Sequence, residues 1–102
     1  MLALVLLLAA AEPAPADGDE ALRRRVAAQP AVVRDYFQRR ANCNHWGGEE
    51  PYDADRRREI DAALKDLRCE TIEAEAIFLR RHFAARPETL AVIELADEQT
   101  GW

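Results

Sequence analysis

Apolar residues recur at helical spacing along most of the chain, and they define its elements. Leu22 and Val26 lie four apart, and Asp17 or Asp19 is placed to cap a helix running through residues 20–28. Pro30 interrupts that pattern and suits the first turn of a new helix or a kink, with Gln29 at the junction. Over 31–40, Val33 and Phe37 share a face with Val32 and Tyr36 beside them, a stripe wide enough to face a core. Asn42 and Asn44 favour a helix exit, so 42–53 reads as a loop. Asp53 then N-caps a helix in which Ile60, Leu64 and Leu67 fall at i, i+4 and i+7. Glu70 and Thr71 mark either a break or a continuous passage into the next stripe. That stripe is Ile72, Ala76, Leu79 and Phe83, with Ile77 and Phe78 widening it. Pro87 and Glu88 open a last helix, with Leu90, Ile93 and Ala96 on its inner face. A short strand over 90–95 is the alternative, but no partner strand accompanies it. The pattern predicts an all-α fold, a small bundle of three to four helices.

The N-terminus departs from this amphipathic pattern. Leu2 to Ala11 is an unbroken apolar run of ten residues, whereas spanning a bilayer takes about 20. Ala9-Ala10-Ala11 and Ala14-Pro15-Ala16 supply two A-x-A cleavage patterns, so a secretory signal peptide cut after Ala11 or Ala16 is expected. No Lys or Arg precedes the run, a departure from the usual basic start. A buried N-terminal helix is the alternative, which Pro13 and Pro15 disfavour by cutting it from the domain. The expected organisation is a signal peptide over 1–16 and a single helical domain over 17–102, periplasmic or secreted from a bacterium. No cysteine lies near either cleavage pattern, so no lipid anchor is expected.

A domain that small buries only about 60% of its unfolded surface and gains from a staple. Cys43 and Cys69 are the only two cysteines. In an oxidising compartment two cysteines imply one bridge, and this would staple the 42–53 loop. Two free buried thiols are the alternative. The charge balance, 14 basic against 19 acidic residues for a net of −5, disfavours nucleic acid, which needs a basic face. Two arginine triplets, Arg23–Arg25 and Arg56–Arg58, look basic, yet carboxylates interleave with them three or four residues away. They read as solvated, self-paired faces.

Candidate chemistry concentrates in 42–53. Cys43, His45, Glu49, Glu50, Asp53 and Asp55 are all metal-ligand types. Cys43-x-His45 has no matching second ligand pair, however, and the carboxylates miss the EF-hand spacing. The chain holds no serine, and Cys43 beside His45 in sequence is not triad geometry. Glu49 and Glu50 are neighbours, poorly placed to face each other across a cleft. No cofactor, no metal and no catalytic residue is expected, and the chain is read as a non-enzyme. Trp46 beside Gly47-Gly48 has two readings, a lid folded over the core next to the disulfide or an interface anchor; the lid is favoured. The candidate binding residues are His45, Trp46, Glu49, Glu50 and Tyr52. His82 reads as a half-exposed boundary residue and Trp102 as peripheral packing or disorder.

From Cys69 onward the chain resembles the LprI-type lysozyme-inhibitor domain of exported bacterial proteins. That family places a cysteine before a helix patterned Leu-x-x-Asp-x-x-Leu-x-x-x-Tyr. Here Ile72, Glu75, Phe78 and His82 keep the spacing, each as a substitution. The family's preceding cysteine lies closer than Cys43 does to Cys69, and the resemblance covers about a third of the chain. The segment from Cys43 to Asp53 resembles a pattern of exported proteobacterial proteins. The resemblance implies a small, helical, disulfide-bearing envelope protein that binds a protein partner, with inhibition of a cell-wall hydrolase such as lysozyme as the specific case. A metal-binding or redox role for the Cys43–His45 segment is the alternative. No membrane contact is expected after cleavage, and the oligomeric state is left open.

Overall fold

The computed structural model describes Ala3 and residues 18–102; the expected signal segment therefore lies outside the described residues, apart from Ala3. The described chain is all-α. Its elements are α1 (Gly18–Ala27), α2 (Ala31–Gly47), α3 (Ala54–Asp66), a 3₁₀ turn (Cys69–Thr71), α4 (Ile72–His82), α5 (Pro87–Leu95) and a second 3₁₀ turn (Ala96–Glu98). No helix among the described residues is long and apolar enough to cross a membrane.

Local signals set most of the boundaries. Pro30 is the N-cap of α2, and its carbonyl accepts from the amides of Val33 at 2.9 Å and Arg34 at 3.1 Å. Gln29, at the junction, is buried and fully used. Its side chain donates to Arg25 O at 3.1 Å and accepts from the Thr89 hydroxyl at 2.7 Å, joining α1 to α5. Asp53 caps α3 by accepting from the Arg56 amide at 2.7 Å, and Pro87 occupies the first turn of α5. The passage at Glu70–Thr71 is a true break. Arg68 there has a φ of 55°, a left-handed conformation that costs a non-glycine residue about 1–2 kcal/mol. Its carbonyl is held by the Thr71 hydroxyl at 3.1 Å and the Thr71 amide at 3.2 Å.

One helix end differs from expectation. α2 does not exit at Asn42 but runs on to Gly47, and the connection to α3 is correspondingly short. The asparagines turn their amides outward to the C-terminal segment instead of capping their own helix. Asn44 Nδ2 donates to the carbonyls of Ala96, Asp97 and Gln99 at 3.4, 3.2 and 2.9 Å, and Asn42 Oδ1 accepts from the Trp102 amide at 3.2 Å. The stop comes from Gly48, whose amide closes on the carbonyls of Asn44 and His45 at 3.2 Å each.

The longer α2 is the hub. It packs against every other helix and both 3₁₀ turns. Val33, Tyr36 and Phe37 from α2 meet Ile72, Ala76, Leu79 and Phe83 from the α4 stripe, and Val92, Ile93 and Ala96 close the core. Trp102 sets its ring edge-on to Phe37 at 4.7 Å and lies under the Arg23 guanidinium at 5.8 Å. Ile77 and Phe78 do not join this core. They sit on the opposite side of α4, 49% and 63% exposed.

Two holds tie the α3–α4 turn to α2. Cys43 and Cys69 form the disulfide, with Cα atoms 5.7 Å apart. One helical turn earlier on the same face of α2, Arg39 is only 6% exposed. Its guanidinium donates to both carboxylate oxygens of Glu75 at 2.6 and 2.8 Å, and to the carbonyls of Leu67 at 2.9 Å and Arg68 at 3.3 Å. It also meets Asp35, four positions earlier on the same helix, at 3.4 Å. Arg39 thus satisfies orphan carbonyls at the end of α3 and grips α4 through a bidentate fork. Arg40 reaches the other way, to Glu73 at 2.7 Å and Asp97 at 3.5 Å.

The bridge closes a loop spanning 26 positions, so reduction, or a paired Cys43→Ser, Cys69→Ser variant, is expected to lower unfolding free energy by about 3–4 kcal/mol. A urea titration with and without reductant measures it. Arg39→Ala is expected to cost about 2–3 kcal/mol, because it strands the Leu67 carbonyl and takes from Glu75 its bidentate partner. Arg39→Lys restores little of that, since an ammonium cannot supply the fork. The same pair makes stability depend on acid. Hydrogen bonds from Arg39 hold the Glu75 carboxyl below its usual 4.5, with burial opposing them. A carboxyl depressed in the fold contributes its full stability above its unfolded pKa and loses it as pH falls through the folded one. Denaturant midpoints should therefore drop below about pH 4.5, and Glu75→Gln should drop less steeply than wild type.

Candidate functional site

The five residues singled out in sequence fall at the corner where α2 gives way to α3, and the fold separates them into two groups. His45, Trp46 and Glu49 come together. His45 Nε2 lies 3.4 Å from Glu49 Oε1, and the His45 ring stands edge-on to Trp46 at 5.6 Å. Glu50 and Tyr52 are exposed to solvent, Tyr52 to 79%.

The residue that organises the corner is Arg56, which the charge pattern assigns to a solvated face. Its guanidinium lies over the Trp46 ring, 5.2 Å from the centroid. It also donates to Glu49 at 3.2 Å and to Glu59 at 2.9 Å. Hydrogen bonds to Glu59 and then Glu49 raise its pKa above the ordinary arginine value. A signal for this did exist. Asp53 as N-cap puts Arg56 in the first turn, and helical side chains lean toward the N-terminus, here back over the connection that carries Glu49. Of the other two arginines, Arg58 pairs with Asp55 on the surface as its spacing suggests, whereas Arg57 meets Asp53 only through its backbone amide.

Trp46 is therefore half-buried between Arg56 and His45, and it belongs to the corner instead of the main core. Backbone contacts fix the rest of the connection. The Glu49 amide donates to Trp46 O at 3.2 Å, and the Tyr52 amide to Glu50 O at 3.0 Å. The corner is consequently tied at one end by the Cys43 bridge in the last turns of α2 and at the other by the Asp53 cap.

Its chemistry is limited by these commitments. Cys43 is oxidised, and Glu49 already serves an arginine and a histidine. Among the described residues, no three His, Cys, Asp or Glu side chains come close enough to share a metal ion. What the corner offers is a preset shape carrying an exposed aromatic ring and an exposed carboxylate. His82 lies elsewhere, exposed on α4, stacked on Phe78 at 5.8 Å and edge-on to Phe83 at 4.8 Å. An open depression of about 390 Å³ lies between α2 and α4, lined by Val32, Thr71, Ala74, Glu75, Phe78 and Leu79. No motif in the sequence marked it, because its large apolar residues, Val32, Phe78 and Leu79, also fit a core stripe. No family model, curated protein or solved structure matches the chain.

If Arg56 covers Trp46, then Arg56→Ala should uncover the indole. In a Trp102→Phe background, acrylamide should quench Trp46 fluorescence more steeply in the Arg56→Ala variant than in its parent. The far-ultraviolet circular dichroism should stay the same.

Proposed function

We propose that the protein is an exported, non-enzymatic binding module that presents the α2–α3 corner to a protein partner. Tyr52 carries this reading: it is 79% exposed on a connection pinned at both ends. Tyrosine supplies a large amphipathic contact with few rotors, and it is enriched where binding energy concentrates. A preset loop also loses little conformational freedom on docking. Export fits the disulfide, which persists in oxidising compartments, and fits the apolar run with its A-x-A patterns in the sequence.

Charge narrows the partner. The chain carries −5 overall, and Glu50 stands exposed beside Tyr52. An acidic surface steers a basic partner into encounter and raises the on-rate. Together with the LprI-type resemblance, this makes a basic cell-wall hydrolase of the lysozyme kind the partner class to test first. Inhibition follows if the corner enters or covers the hydrolase's substrate cleft.

Purified, oxidised protein should slow lysis of cell-wall substrate by lysozyme in a saturable way. Tyr52→Ala should weaken the interaction at least about tenfold, as truncation of a hot-spot residue does, and Glu50→Lys should slow association in low salt. Unchanged lysozyme activity at large molar excess sinks the inhibitor version. A partner whose binding ignores Tyr52 sinks the corner as its site.

A further inference from the structure

α4 has two apolar stripes, and the core uses only one of them. Ile72, Ala76, Leu79 and Phe83 face inward. Ala74, Ile77 and Phe78 lie on the outward face, with Glu70 just before the helix and Arg81 near its end on the same side. At about 100° per residue in α4 and about 120° in the 3₁₀ turn that carries Glu70, these five residues fall within about 120° of one another and opposite the buried stripe. Phe78 at 63%, Val32 at 52% and Ile77 at 49% are three of the large apolar side chains left in solvent. Beside them lies the open depression lined by Val32, Ala74, Phe78 and Leu79.

We propose that this face binds a second copy of the same chain, with the two α4 helices antiparallel about a two-fold axis level with residue 76. Three features favour a second copy over an unrelated partner. The first is charge. The stripe is acidic at its N-terminal end and basic at its C-terminal end, and neither Glu70 nor Arg81 has an ion-pair partner among the described residues. An antiparallel copy sets Glu70 of each chain against Arg81 of the other, so both ends are neutralised at once. A uniformly basic or acidic partner would satisfy one end and repel the other. The helix dipoles also oppose favourably in this arrangement.

The second feature is size matching. Positions equidistant from residue 76 meet across the axis, which sets Phe78 of one chain level with Ala74 of the other. A large ring then faces the smallest side chain of the stripe. The third is the position of the depression. It lies on the side of α4 toward which Phe78 leans, at the level of Ala74 and Glu75. A two-fold axis keeps Phe78 of the second copy on that same side, so the ring enters the depression beside Val32. Knob and hole belong to one patch, as an isologous interface requires.

The interface is small. An eleven-residue helix is about 16 Å long, which places the contact in the class below about 1,200 Å². Association is therefore weak and concentration-dependent, and it leaves the Tyr52 corner free for its own partner.

Sedimentation equilibrium of the oxidised protein across about 1 µM to 1 mM, where small interfaces dissociate, tests this. Wild type should pass from monomer to dimer and no further. Phe78→Glu should shift the midpoint upward by at least about tenfold while the circular dichroism spectrum is unchanged. Glu70→Arg and Arg81→Glu should each be monomeric alone, since each sets like charges together twice. An equimolar mixture of the two should dimerise, because both contacts regain opposite charges, and this arm holds even if Phe78→Glu perturbs folding. A monomer across the whole range overturns the proposal. So does a dimer indifferent to Phe78→Glu, or a mixture no more associated than its components. Phe78-dependent binding to a peptide or vesicle without self-association overturns it in favour of another occupant.

Discussion

Cys43 and Arg39 sit one helical turn apart on α2 and hold the same short segment, the turn from α3 into α4. The remaining geometry depends on this double hold. The turn contains a left-handed Arg68 and the exposed carbonyls of a helix end, neither of which is stable by itself. The bridge removes freedom from the unfolded chain, and the guanidinium satisfies the carbonyls and pairs with Glu75. The covalent tie sets where the turn lies, and the hydrogen-bonded fork sets its orientation. With the turn held, the inner stripe of α4 docks on Val33, Tyr36 and Phe37, and α5 follows against the same helix.

The double hold also shapes the surface. The disulfide anchors α2 close to its C-terminal end, so the connection that follows starts from a rigid point. Arg56 then uses its reach to bind Glu49, Glu59 and the Trp46 face together. Cys43, Glu49 and Arg56 therefore end up committed to partners, while His45, Glu50 and Tyr52 remain exposed.

The far side of the molecule follows a different logic. Small domains have more surface than core, and an eleven-residue helix offers two apolar stripes where the interior has room for one. Tyr36 and Leu79 fill the interface between α2 and α4, leaving Phe78 outside above an open depression. Among the described residues, the polar ends of that outer stripe, Glu70 and Arg81, lack the internal partners that Glu75 and Arg80 have found. The corner and the α4 face thus form two separate surfaces of one stapled body.

Much of the fold was legible because its signals act within one turn of the chain. Pro30, Asp53 and Pro87 start helices through their own backbone restrictions and side chains, and the Ile72–Phe83 stripe repeats at the helical period whatever it packs against. Two cysteines leave one possible pairing. The sequence also contained every residue of the corner, but not its organisation. Arg39 could be matched locally to Asp35, while its stronger partner, Glu75, lies 36 positions away. Asn42 and Asn44 have local propensities for a helix exit, and only the return of the C-terminal segment gave their amides better partners. Likewise, periodicity says that α4 has an apolar face but not which of two stripes at the same spacing turns inward. Local interactions chose the elements. Contacts between residues distant in sequence, which exist only once the chain has packed, chose the end of α2, the role of Arg56 and the outward side of α4.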